Sequence, residues 1–319
     1  MAEPDREWVG AHVFHRGDQD LLVTCAVVPL CEELSRGGKV RDWFFLRCWE
    51  GGPHVRLRLL TRVNPGVVRA AVARVCARHL AGHPSPPDDW SQREYESVAR
   101  RRAEVERLTR WDRRLRPVDT VEFAAYEPEH HAYGDGRALR AVERHYTDSS
   151  RLAARLLAAP PDRRAGAALA MLTLALVVCE PDLERAAARF AAARTRQPSA
   201  PRPRRRDDLL VQTRRLWAHP PSGPAPADPL AAWWLSVRTL HGTLTGLRAR
   251  GDFTPVDVPS PFAGLARALR PEDPVVPYVV LRCAHLLCNR LGLAEATEAR
   301  LASLTARTLS ELHDEVAPL

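Results

Sequence analysis

The stretch WFFLRCWEGGPHVRLRL, residues 43 to 59, constrains the fold more than any other part of this chain. Aromatic and apolar residues lead into Arg47, Gly51-Gly52-Pro53 interrupts, and a strict polar–apolar alternation follows. Alternation with period 2 belongs to a strand with two unlike faces, and a Gly-containing break between two such runs is a hairpin signal. On that reading Arg56 and Arg58, at i and i+2, project from one face with His54 in line behind them. The turn is expected to bring Arg47 near the same row. Three guanidiniums and an imidazole on one face would suit a carboxylate or phosphate, which guanidinium binds bidentately. The plain alternative is a solvated antiparallel face that happens to carry arginines.

Further strand signals lie at WVGAHVFHR (8 to 16), VRDWFFLRCW (40 to 49), PHVRLRLLTRV (53 to 63) and VDTVEFAAYEPE (118 to 129), the last read as a strand and a loop. Between them, DQDLLVTCAVVPLCEELSRGG reads as a helix interrupted near Pro29 and stopped by Gly37 and Gly38. NPGVVRAAVARVCARHLAG is a second helix, and a long charged helix is expected over 91 to 114. Beyond residue 137 every apolar pattern is helical, with Pro-rich loops expected at 197 to 206 and 219 to 229. The expected architecture is α+β within a single domain spanning 1 to 319. A mainly antiparallel sheet with flanking helices fills about 1 to 136, and a helical part fills about 137 to 319.

Composition narrows the class. Hydrophobic residues at 45% and charged residues at 27% are those of a soluble globular protein. The longest apolar run, within AGAALAMLTLALVVCEP, is shorter than the roughly 20 residues of a bilayer span and is closed by Pro181, so a buried helix is expected and no membrane contact. The start, MAEPDREW, has no apolar core of a signal peptide. Seven cysteines sit singly with no CxxC spacing, the pattern of reduced core thiols in a cytoplasmic protein and not of a zinc site. The net charge of +8 is nearly all arginine, with Lys39 the single lysine, which reads as coding bias. The basic run at 100 to 116 is mixed with acids at helical spacing, and PRPRRR (201 to 206) lies in a Pro-rich break. No aromatic-plus-basic RNA signature accompanies this charge, which argues against a tRNA contact.

Two other segments carry acid–base groups. AAYEPEHHAYGDG (124 to 136) places Tyr126, Glu129 and His131 in a Pro/Gly-containing loop, where proton-transfer groups often reside. A capped turn with solvent-facing histidines explains it equally simply. In LRCAHLLCNRLGL (281 to 293), His285 and Asn289 stack one turn apart on a largely apolar helix. A satisfied core histidine is the ordinary account of that position.

In order and spacing, WxxxHVFHR, DLLVTCAVVPLCEEL, WFFLRCWEGGPHVRLRL, YEPEHHAYGD, HYTDSS and HLLCNRLG together resemble one family along essentially the whole chain. It is the C-terminal, glutamate-elimination domain of lantibiotic dehydratases, related to stand-alone thiopeptide biosynthesis proteins. The resemblance implies that Arg56 and Arg58 match arginines that hold a glutamyl group, and that His285 matches a proton-transferring histidine. Eliminating members carry a further arginine just before a YGG-like turn, where this chain has Ala132 followed by Tyr133-Gly134-Asp135. That departure turns the expectation toward the pyridine synthases of the same fold, which close two dehydroalanines in a formal [4+2] reaction. The implied partner is a modified precursor peptide, leader plus core, with no metal or organic cofactor.

Under this reading Tyr126, Glu129, His131 and His285 are the proton-transfer candidates. Arg47, His54, Arg56, Arg58 and Asn289 line the substrate. The alternatives are a glutamate-elimination subunit working with a glutamylating dehydratase partner, and a non-catalytic peptide-binding accessory subunit.

Overall fold

The computed structural model describes residues 7–87, 90–193, 206–221, 228–256 and 260–316. Of the loops expected over 197 to 206 and 219 to 229, residues 197–205 and 222–227, and with them most of PRPRRR, lie outside the described residues. The chain is α+β, with a four-stranded N-terminal sheet followed by helices. It divides into two compact units, each built around its own buried surface.

The first unit holds residues up to Pro128 together with Ser149–Ala158 and Asn289–Gly292. Its strands are β1 (Trp8–Phe14), β2 (Val40–Cys48), β3 (His54–Thr61) and β4 (Thr120–Ala124). They lie in the order β2-β3-β1-β4, with every neighbouring pair antiparallel. The pleat splits each strand's residues between two faces. Val9, Ala11, Val13, Trp43, Phe45, Val55, Leu57 and Leu59 fall on one face and are wholly buried. That face is covered by α2 (Val28–Arg36) and α3 (Pro65–Gly82), through Leu30, Cys31, Leu34, Val68, Val72, Cys76 and Leu80. The other face carries His12, His54, Arg56 and Arg58.

Local chemistry sets the helix ends. Asp18 accepts from the Asp20 and Leu21 amides and starts α1 (Gln19–Leu22). The break expected near Pro29 is absent: α1 passes through a π-helical segment, Val23–Val27, directly into α2. A proline ring clashes with the carbonyl four residues back, and the wider π turn just before Pro29 absorbs it without ending the helix. Asn64 caps α3 with Pro65 in its first turn, and a Ser91–Glu94 capping box starts α4 (Gln92–Val105).

The expected helix over 91 to 114 stops at Val105, where Glu106 caps it and Arg107 takes φ +54°. Residues 106 to 119 then run irregularly because side chains satisfy their backbone: Tyr95 donates to the Asp112 carbonyl, and Gln92 bonds the Arg113 carbonyl (2.6 Å) and the Leu115 amide (2.9 Å). One expected core thiol, Cys25, is exposed on the helical segment, whereas Cys31 and Cys76 are buried.

Edge strand β2 is closed by Arg290, whose side chain is completely buried. Its Nε donates to the Phe45 carbonyl (2.9 Å) and to Ser150 Oγ (3.1 Å), and Ser150 Oγ in turn accepts from the Phe45 amide (3.2 Å). A side chain thus supplies the ladder bonds that a further strand would have made.

The second unit holds Glu129–Asp148, Ala159–Cys288 and residues from Leu293 onward. Its helices are α5 (His130–Tyr133), the first part of α6 (Gly136–Leu156), α7 (Pro161–Cys179), α8 (Leu183–Ala193), α9 (Arg206–Ala218), α10 (Pro229–Ala249), α11 (Ala263–Leu269), most of α12 (Val275–Arg290) and α13 (Glu295–Val316). The apolar run read as a buried helix is α7, nearly all buried from Ala168 onward and packed by α9, α10 and α13. Among the described residues no single helix is long and apolar enough to cross a membrane. At the end of α7, Glu180 is fully buried beneath Arg189 (3.0 Å), Arg185 (3.6 Å) and Arg270 (3.6 Å), and its carbonyl accepts from Trp217 Nε1. A carboxylate taken out of water in this way has to be paired.

Replacing Arg290 by Met keeps the bulk and removes the donors. This Arg290→Met variant is expected to lose about 2 to 3 kcal/mol in urea unfolding, since the Phe45 carbonyl and Ser150 hydroxyl lose a charged partner.

Candidate functional site

The polar face of the sheet is built by register. Arg58 lies opposite Gly10 and Phe44, Arg56 opposite His12 and Leu46, and His54 opposite Phe14 and Cys48. From β4, Glu122 stands opposite His12 and Ala124 opposite Gly10. Arg56, Arg58 and His54 therefore share a face, as the alternation implies. Arg47 does not join them. It pairs with Val55, one residue out of phase, so its side chain leaves from the opposite face. There its guanidinium meets Asp20 and the Arg290 carbonyl. Asn289 is likewise committed to β2: its Oδ1 accepts from the Arg47 amide (2.9 Å) and its Nδ2 donates to the Arg47 carbonyl (2.8 Å). The substrate-lining expectation for Arg47 and Asn289 gives way to a structural one, because a side-chain amide that bonds both backbone groups of an edge residue mimics a strand.

On the shared face the imidazoles serve the arginines. Guanidinium has only donors, so each histidine nitrogen it meets must be an acceptor. Arg56 Nε points to His54 Nε2 (3.2 Å), which leaves Nδ1–H of His54 to donate to the Gly52 carbonyl (2.8 Å). Arg56 Nη2 pairs with Glu50 (2.9 Å). Arg58 is 9% exposed, bonds His12 Nε2 (3.1 Å) and the Leu57 carbonyl (3.3 Å), and lies 5.8 Å over the Tyr126 ring. Trp8 and Phe44 complete an aromatic wall beside Tyr126, at 5.2 and 6.0 Å from its ring. His12 and His54 stack at 5.0 Å.

Burial and then Arg58 hold His12 down to about 3, and burial, aided by Arg56, holds His54 at about 4. Burial and then Arg56 lower Arg58 to about 10. At neutral pH β1 and β3 present two cations and two neutral rings on this face, with Glu122 of β4 beside them paired to Arg116. His54 is fully buried, so it orients Arg56 from below and does not line an open surface.

The proton-transfer candidates divide between the units: Tyr126 belongs to the first, and Glu129, His131 and His285 to the second. The loop expected around Glu129 and His131 contains one helical turn, α5, closed by Gly134 at φ +69°. Glu129 pairs with Arg282 (2.7 Å), whose Nε donates to the Tyr133 hydroxyl (2.5 Å). His131 is exposed, and its carbonyl accepts from the Val256 amide (2.7 Å). His285, one turn along α12 from Arg282, has its Nδ1 2.5 Å from Glu298 Oε2. Glu298 is 3% exposed and His285 24%. A buried carboxylate that fixes one ring nitrogen leaves the other, Nε2, as the group that can exchange a proton. Phe262 meets the ring edge-on at 6.5 Å.

Three participants escaped the sequence reading. His12 sits in a strand segment whose alternation, Trp8-Gly10-His12-Phe14, carries the signal. Glu298 lies in the first turn of α13, where acids are favoured by the helix dipole and so do not stand out. Arg282 was hidden in an apolar helix.

The two depressed histidines make a sign-definite prediction. Their folded values lie below the ordinary 6.5, so the unfolded chain binds protons that the folded chain refuses. Stability is therefore expected to fall as pH drops from 6.5 to about 5, above the range where carboxylates titrate. Urea midpoints should show that slope, and a His12→Gln/His54→Gln double variant should reduce it, with burial-lowered His79 and His241 keeping the remainder. Equal slopes in both proteins would contradict the assignment.

The family model described as the C-terminal part of lantibiotic biosynthesis dehydratases matches residues 8–309. Comparison with curated proteins finds no match. Among solved structures the chain is similar to the pyridine synthase TbtD from thiomuracin biosynthesis, at 19% identity and a TM-score of 0.70, over 97% of this chain and 100% of that one. TsrL is similar at 20% identity and a TM-score of 0.66, over 97% of this chain and 96% of its own. The tRNA-dependent lantibiotic dehydratase MibB from Microbispora sp. 107891 is 18% identical with a TM-score of 0.55, over 99% of this chain and 29% of MibB. These likenesses establish the fold, and the match across most of the chain establishes more: it belongs to the family of lantibiotic biosynthesis dehydratase C-terminal domains.

Proposed function

We propose that this protein is a thiopeptide-maturation enzyme that closes two dehydroalanines of a modified precursor peptide in a formal [4+2] reaction. Loss of water and of the leader peptide then gives the pyridine and its macrocycle. The observation that carries the choice is Ala132, a buried methyl group where the resemblance to eliminating members implies an arginine. A charge-assisted contact to a glutamyl carboxylate is not replaced by a methyl group. Likeness to a pyridine synthase along its full length is in keeping with this reading.

The chemistry asks for a surface that orients two alkenes and for groups that move protons during tautomerisation and elimination. His285, held by Glu298, is the proton-transfer group of this reading, with Tyr126, Glu129 and His131 as further candidates. Arg56 and Arg58 position peptide carbonyls. The reaction draws on no metal or organic cofactor, and its partner is the precursor peptide, leader plus core.

Glutamate elimination is the second reading, and one observation favours it: a buried cation, Arg58, beside Arg56 on an aromatic floor suits a carboxylate. In that case Arg56 and Arg58 hold the glutamyl group, His285 takes the proton, and a glutamylating dehydratase supplies the substrate.

Mass spectrometry on two peptides separates the readings. A substrate with two dehydroalanines between azole rings is expected to yield a free leader carboxamide and a lighter macrocycle. Loss of glutamate from a peptide glutamylated at serine would overturn the proposal in favour of elimination. Unchanged masses with measurable affinity would mark a peptide-binding accessory subunit. In the active case, Glu298→Gln is expected to slow turnover roughly tenfold to a hundredfold with unchanged peptide affinity, because the carboxylate acts on ring orientation and not on binding.

A further inference from the structure

We infer that His12 is a positioning residue: its neutral imidazole accepts a hydrogen bond from Arg58 and holds that buried guanidinium in place without cancelling its charge. The inference rests on the proposal that the polar sheet face meets the peptide substrate.

A buried arginine is ordinarily paired with a carboxylate, which orients it and neutralises it together. Among the described residues no carboxylate lies within ion-pair distance of Arg58. Glu50 is engaged by Arg56 at 2.9 Å, and Glu122, although opposite His12 in the register, is engaged by Arg116 at 3.2 Å. The partners of Arg58 are neutral: His12 Nε2, the Leu57 carbonyl and the Tyr126 ring face. These supply acceptors and a quadrupole but no negative charge. A carboxylate at position 12 would orient the guanidinium equally well and would occupy it.

Gly10 shows that the pose is built. It lies opposite Arg58 on β1, and a Cβ there would collide with the Ala124 carbonyl and stand 3.0 Å from Arg58 Nη1. The guanidinium thus crosses β1 over the one residue without a side chain, with His12 two positions along the same strand face. Burial and then the neighbouring cations keep His12 neutral, while Glu122, opposite it in the register, is engaged by Arg116. Arg58, Arg56 and His54 reach it from β3, and Arg116 from the segment before β4. Protonation would turn its Nε2 from acceptor to donor and aim it at a cation. His12 therefore performs its role only as the Nδ1–H tautomer.

The test is nitrogen NMR on the full chain labelled at histidine, with His12→Gln used to assign the signal. His12 is expected as the neutral Nδ1–H tautomer with no titration down to about pH 4. Titration near 6.5, or an Nε2–H tautomer, would overturn the inference, and this readout holds whether or not any peptide is converted. In the turnover assay, His12→Leu removes the acceptor and should cost roughly tenfold, the penalty of stranding a buried charged donor. His12→Gln, whose Oε1 restores an acceptor near the lost Nε2, should recover most of it. Full activity in His12→Leu, or no recovery in His12→Gln, would sink the positioning role. If NMR gives the expected tautomer but neither peptide reacts, the proposed function fails and the assignment of His12 stands.

Discussion

The pleat of β3 is the constraint on which the first unit depends. His54 to Thr61 alternates between a face that must be dry and a face that must be polar, and no shift of one residue preserves either. Val55, Leu57 and Leu59 need α2 and α3 above them. His54, Arg56 and Arg58 need acceptors, which the same register supplies through His12 on β1 and through the Gly52 carbonyl at the turn. Packing and electrostatics are thus solved by one alignment. The apolar face stabilises the sheet, and the sheet holds two guanidiniums in an orientation that flexible side chains would not keep in water.

The second unit handles its polar groups by a different route. Its helices bury Glu180 under three arginines and Glu298 behind His285, each carboxylate with a partner at hydrogen-bond distance. The first arrangement is structural, since Glu180 follows the buried second half of α7. The second leaves part of the imidazole reachable by solvent, which is the arrangement a proton-transfer group needs. The two units therefore offer different chemistry: fixed positive charge on a sheet in one, and an oriented imidazole on a helix in the other.

Much of the fold was legible because periodicity is local. The four strands and the long helices after residue 137 follow from residue spacing. The failures have the same physical origin. Pro29 was expected to break a helix that a π turn carries through, and the charged helix was expected to run to 114 although Gln92 and Tyr95 draw the chain away at Val105. At the candidate site Arg56 and Arg58 were legible from alternation alone. Arg47 was not, because the count of residues through Trp49 to Pro53 decides its face and a hairpin's register is not fixed until the turn closes.

By itself, the sequence determined the α+β order of elements, the two-faced character of β3 and the family pattern that runs from Trp8 to the Asn289-Arg290 pair. These depend on spacing along the chain, which folding does not alter. Only the tertiary structure decided which polar groups meet. His12 reaches Arg58 across 46 residues, Arg290 reaches Phe45 across 245, and Glu298 reaches His285 from the next helix. Such pairings form because a donor or charge buried by its neighbours must be satisfied there, and the partner that satisfies it is whichever residue the folded backbone delivers.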